Sequence, residues 1–214
     1  MPNLLVAGNS TNGGTAIATD TSGTLNIVTG SGSGTTAVTV DGSQNVTVAG
    51  TFTATGGSIG SIKSATAVAS TSGTSIDFTG IPTGVKRITV MLSGVSLNGT
   101  SNQLIQIGAG SVTTSGYVGG AVAAGSAGTQ ATQTVGLQCG ITGSAAFTII
   151  GQAVLTNITG NTWVMAFNGT RQTDGYGLIG SSSIALGGTL DRVRITTVNG
   201  TDTFDAGTIN ILFE

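Results

Sequence analysis

The chain contains no histidine and a single cysteine among its 214 residues. Without histidine there is no Ser-His-Asp or Cys-His catalytic arrangement, and the usual zinc ligand sets are missing. Cys139 has no intrachain disulfide partner and is read as a small buried hydrophobe. Charge is nearly as scarce, with six Lys/Arg and eight Asp/Glu making up 7% of the chain and a net charge of −2. Lys63, Lys86, Arg87, Arg171, Arg192 and Arg194 never cluster beyond pairs, so no nucleic-acid partner is expected. No apolar run approaches the roughly 20 residues of a membrane-spanning helix, so membrane insertion is not expected. Residues 1–8 lack both a charged start and a long apolar stretch, so export by a classical signal peptide is not expected either.

What fills the space is glycine, 37 residues of it, together with serine, threonine and short bursts of β-branched residues. Disordered chains usually combine low hydropathy with high charge. This chain has neither, so it is expected to fold as an all-β protein. No window keeps a helical period over three turns.

Two regions differ in what they can bury. In residues 1–60 about one residue in five is large and apolar, against about three in ten beyond residue 61. Ordering a residue costs ~1–2 kcal/mol of backbone entropy. A fully buried large side chain returns only ~1.5–3 kcal/mol. One such side chain per five residues is therefore too few for a domain that stands alone. The pattern is still that of strands. Thr36 to Val40 alternates, Asp41-Gly42 marks a turn, Asn45 to Val48 alternates again, and a third run spans Thr51 to Thr55. One apolar face per strand with no second layer predicts that copies of the same chain cover it. Residues 1–60 are thus read as an oligomeric β-rich shaft or attachment segment, and residues 61–214 as a separate distal domain.

The distal region carries strand signals at Arg87–Leu92, Gln103–Ile107, Phe147–Leu155, Trp163–Phe167, Ser183–Leu186, Arg192–Ile195 and Thr208–Glu214. About eight strands separated by Gly and Asn-Gly turns predict an antiparallel β-sandwich of jelly-roll type. Val193 and Ile195 are expected to face inward and Arg192 and Arg194 outward. Trp163 is expected in the core. The Gly-rich stretch from Gly116 to Gly128 is expected to form one long surface loop.

The phrases DTSGTLNIVTG (20–30) and AVTVDGSQNVTVAGTFTATGG (37–57) resemble the shaft phrasing of bacteriophage tail fibres and related virion fibres. Residues 74–108 (TSIDFTGIPTGVKRITVMLSGVSLNGTSNQLIQIG) and 191–214 (DRVRITTVNGTDTFDAGTINILFE) are similar to the distal β-sandwich of phage and prophage fibre proteins. The resemblance covers more than half of the chain. It implies a homotrimeric structural virion protein, anchored on other virion proteins through its N-terminal segment. The distal sandwich would contact a host-surface polysaccharide or protein. Being short for a fibre, the chain also fits a capsid-decorating or head-fibre protein.

A phage depolymerase, the enzymatic alternative, needs paired carboxylates flanking the scissile bond. Asp202 and Asp205 are the closest pair in the distal sequence, and hairpin-loop hydrogen bonding is the reading given to them. No catalytic residue, cofactor or metal is therefore expected. The one loop with binding chemistry is Asn168 to Tyr176. Arg171, Gln172, Asp174 and Tyr176 bring together a planar cation, an amide, a carboxylate and a ring, the groups that bind sugars by stacking and bidentate contacts. Tyr117, placed in the Gly-rich loop, is expected to add a second stacking platform. The competing reading is a loop closed by an internal Arg171–Asp174 pair with a half-buried tyrosine.

Overall fold

The computed structural model describes residues 23–29, 35–50, 53–54, 57–58, 62–125, 129–139, 141 and 143–214. The chain divides after Gly60 into two units, Met1–Gly60 and Ser61–Glu214. Among the described residues every regular element is a strand, and every strand pairing is antiparallel.

In the first unit, β1 (Leu25–Thr29), β2 (Thr35–Val40) and β3 (Val46–Val48) form a three-stranded sheet, and β4 (Thr53–Ala54) pairs with β5 (Gly57–Ser58). The alternation read at residues 36–40 and 45–48 is that of β2 and β3. Of the third run, only Thr53 and Ala54 fall among the described residues. The turn between β2 and β3 is closed by Asp41. Its Oδ1 accepts hydrogen bonds from the Ser43 and Asn45 backbone N–H groups, each at 2.9 Å, and its Oδ2 accepts one from Asn45 Nδ2 at 3.0 Å. These bonds hold the carboxyl below the ordinary carboxylate range, Asn45 being the main cause.

The second unit contains β6 (Lys63–Ser64), β7 (Val68–Ala69), β8 (Ile76–Thr79), β9 (Arg87–Leu97), β10 (Gln103–Ala109), β11 (Ser111–Val112) and β12 (Val118–Ala124). It continues with β13 (Thr129–Gln133), β14 (Leu137–Gln138), β15 (Ile149–Thr159), β16 (Thr162–Arg171), β17 (Gly177–Ala185), β18 (Arg192–Thr197) and β19 (Phe204–Phe213). They build two sheets. The smaller runs β11-β10-β18-β8, with β14 also on β10. The larger runs β13-β12-β17-β16-β15-β9-β19-β6, with β7 also on β19.

The chain alternates between these sheets in the manner of a jelly roll. The strands β14, β10, β18 and β8 sit in the smaller sheet, and β15, β9, β19 and β6 in the larger. Two hairpins are inserted into that plan: β12–β13 between β10 and β14, and β16–β17 between β15 and β18. They lie side by side because β12 pairs with β17, from Val118↔Ser183 to Ala124↔Gly177. The insertions widen the larger sheet without adding a third layer.

One core joins the sheets. Ile105, Ile107, Val193 and Ile195 from the smaller sheet and Ile88, Val90, Leu155 and Phe167 from the larger are at most 2% exposed. Trp163 is 4% exposed and belongs to this core. Val193 and Ile195 face in, as expected. Arg194 faces Asp77 on β8 at 2.7 and 3.0 Å, and Arg192 pairs with Asp191 at 2.8 Å.

The expectation of a long loop from Gly116 to Gly128 is overturned. Residues 118–124 are a central strand of the larger sheet, paired on both sides. Small side chains are what this strand needs: a Cβ at Gly119 would lie 2.2 Å from the Ser181 carbonyl oxygen. Ala121 and Ala123 supply the inward face, and neither is large enough to mark a period in the sequence.

Candidate functional site: a stapled hairpin and an uncovered sheet face

The stretch singled out for binding is the β16–β17 hairpin. β16 ends at Arg171 and β17 begins at Gly177, leaving Gln172–Tyr176 as the turn. The turn closes through Arg171 N–H to Tyr176 O and Gly175 N–H to Arg171 O, each 2.9 Å. The segment before β15 supports it from the side. Gln172 N–H donates to Thr148 O at 2.9 Å, and Thr173 Oγ1 donates to Ala146 O at 3.0 Å.

Arg171 is only 7% exposed. Its Nε and Nη2 donate to Asp174 Oδ1 and Oδ2 at 3.2 and 2.6 Å, and Nη1 donates to Ile141 O at 3.1 Å. The guanidinium carbon lies 4.2 Å from the Phe147 ring centroid and 4.5 Å from that of Tyr176. A weakly hydrated planar cation with ring and carboxylate partners is well satisfied out of water. Asp174 Oδ1 also accepts from Tyr176 N–H at 3.2 Å. Gly125 meets the Tyr176 ring so closely that a Cβ there would lie 2.2 Å from two ring carbons.

This geometry is an internal staple: it matches the competing reading of a loop closed by an Arg171–Asp174 pair with a half-buried tyrosine, and it corrects Arg171 as a presented cation. Its charge is matched by Asp174 and its plane faces two rings. Tyr176 is half-buried, contacting Arg171 and abutting Gly125. Gln172, Thr173, Asp174 and Gly175 are exposed on the turn.

Tyr117 as a second platform is likewise overturned. It is 1% exposed, its hydroxyl accepts from Ile107 N–H at 2.8 Å, and it lies 3.1 Å from Thr113 O as a donor. Burial pushes its pKa up to about 12, against a smaller opposing effect of the Ile107 hydrogen bond. The residue sits just before β12, so a stretch read as loop delivers its ring to the core. Phe147 and Ile141 are the staple partners that sequence reasoning missed. Phe147 was read as part of the following strand, and the Ile141 contribution is a carbonyl that no side-chain pattern reveals.

Cys139 is fully buried, and burial raises its thiol pKa. Asp202 and Asp205 serve separate partners. Asp202 accepts from Ser101 N–H at 2.8 Å and from Asn199 Nδ2 at 2.7 Å, while Asp205 accepts from Ser96 Oγ. Among the described residues no three His, Cys, Asp or Glu side chains gather as metal ligands would.

A different kind of site lies in the first unit. Directly opposed residues of antiparallel strands share a face, as do residues i and i+2. The register puts Leu25, Val40 and Val46 in one row and Ile27, Val38 and Val48 in the next. All six apolar side chains are on one face, while Asn26, Thr39 and Thr47 share the other. Yet none of residues 23–27 and 36–50 is buried, and Ile27 and Val46 are 53% and 65% exposed.

No protein-family model, curated protein or solved structure matches this chain.

Proposed function

We propose that this protein is a structural, non-enzymatic virion component: a homotrimeric fibre or spike of a bacteriophage. Its first unit attaches to other virion proteins, and its distal β-sandwich contacts a host-surface polysaccharide or protein. One observation carries the reading. Six apolar side chains occupy one face of the β1–β3 sheet, and none of the six is buried. Exposed apolar sheet faces are normally covered, and identical copies supply a cover without a second gene product. On the distal side, the exposed Gln172–Gly175 turn, held rigid by the Arg171 staple, is the part of the predicted binding loop left for a ligand.

Light scattering on the full chain is expected to give the mass of three copies. Combining Ile27→Asp with Val46→Asp is expected to weaken that assembly by at least tenfold. A monomeric wild-type chain, or a double variant assembling at wild-type affinity, overturns the role of this face. Antibody labelling of intact particles is expected to mark projecting fibres and to leave the bare shell unmarked. Adsorption to host cells is expected to fall for Gln172→Ala if the turn makes the host contact.

A further inference from the structure

The outer face of the larger distal sheet has an unusual surface for a solvated sheet. Half-solvated antiparallel sheets ordinarily turn polar and charged side chains to water. Across β12, β17, β16, β15, β9 and β19, the outward positions carry only three charged residues, Arg87, Asp205 and the terminal Glu214. Arg87 and Glu214 pair with each other at 3.3 Å, while Asp205, at the opposite end of β19, accepts from Ser96 Oγ. Large apolar side chains point outward instead: Val118 is 73% exposed, Ile179 55%, Ile150 39% and Val164 37%. Between Val118 and Val164 on one side and Ile179 on the other, the surface dips over Gly120 and Ser181, leaving an open groove of about 640 Å³.

We propose that this face is where the distal units of neighbouring copies of this chain pack against one another. The area suffices. Strands ~4.8 Å apart, with outward residues every ~6.8 Å, give six strands by four residues roughly 800 Å² in plan. That is about one partner's share of a standard protein interface. Chemistry selects the occupant. The outward positions offer no aromatic ring for a sugar to stack on and no basic cluster for an anionic surface. A face on which Arg87 and Glu214 offset each other and only Asp205, near the start of β19, is left over meets its own copy with little like-charge repulsion, and its raised valines and isoleucine sit beside a groove of matching character. This contact is separate from the β1–β3 face and does not depend on it.

The test is thiol labelling of the full chain, in which Cys139 is buried and silent. At concentrations where the chain is assembled, Ile179→Cys is expected to react with maleimide at least tenfold more slowly than Thr83→Cys on an exposed turn. Equal rates overturn the proposal even for a chain that assembles through residues 23–48. Slow labelling in a chain that sediments as a monomer also overturns it, because the protection would then come from within one copy. As a second variant, Ile179→Lys places like charges on every copy at an already exposed position. It is expected to weaken association at least tenfold with the distal unfolding transition unchanged, and unchanged association overturns the proposal.

Discussion

The two units use the same strand pattern to opposite effect. In β1–β3 the alternation sorts six apolar side chains onto one face, and among the described residues of that sheet none is buried. In the distal unit the same alternation feeds a core in which Ile88, Val90, Leu155 and Val193 have no exposure at all. In the distal unit a second sheet lies over that face. Alternation decides which residues share a face, and only an opposing layer turns that face into a core. What the comparison teaches is that strand formation and self-sufficiency are separate properties of a sequence.

The largest effect expected is at the distal core. Leu155→Ala should cost about 2–5 kcal/mol in denaturant unfolding, from lost transfer free energy and a cavity that the sandwich cannot close. Val46→Ala in the first unit should stay within about 0.5 kcal/mol in the dilute chain. A penalty at Val46 that grows with protein concentration would sharpen the contrast, since it means the face is covered on assembly. An equal penalty in the monomer would break it.

High pH separates the units next. The folded-state pKa of Tyr117 is raised above its unfolded value of about 10, so its stabilising contribution is complete below pH 10. It is lost as pH rises towards 12, on the order of 2–3 kcal/mol. Cys139, also raised by burial, acts in the same direction. Thermal melts between pH 9 and 12 should show the distal transition falling, and Tyr117→Phe should flatten part of that fall.

A somewhat smaller loss, about 1–3 kcal/mol, is expected for Arg171→Ala, which removes the ion pair and the packing between two rings. Gln172→Ala on the exposed turn should cost less than about 0.5 kcal/mol. Similar losses at both positions would refute the staple. The smallest effect belongs to the β2–β3 turn. The Asp41 carboxyl is depressed in the fold, so its hydrogen bonds are intact above the ordinary carboxylate range and are lost as pH falls through the lowered value. The Asn45 backbone amide proton should follow that titration by NMR, with little change in the distal unit.

Much of the distal fold was legible in the sequence because large apolar residues mark the inward positions of β9, β10, β15, β16, β18 and β19. β12 was not legible. Its inward residues, Ala121 and Ala123, and its outward Gly120 produce no contrast, and glycine-rich segments read as loops whether or not two neighbours hold them flat. The hairpin at residues 168–176 was found for its chemistry, but composition does not say where a cation points. Its direction depends on the Ile141 carbonyl, Phe147 and Gly125, which come from other segments.

Residue order alone settled the all-β class, the change of character near residue 60 and the inward face of β18. These rest on composition and a two-residue period, which are local properties of the chain. Tertiary packing decided that residues 118–124 form a strand, that Tyr117 is core, and that Arg171 turns inward to its own carboxylate. Each of those outcomes depends on contacts between segments far apart in the sequence, where a buried polar group must find its partner or remain in water.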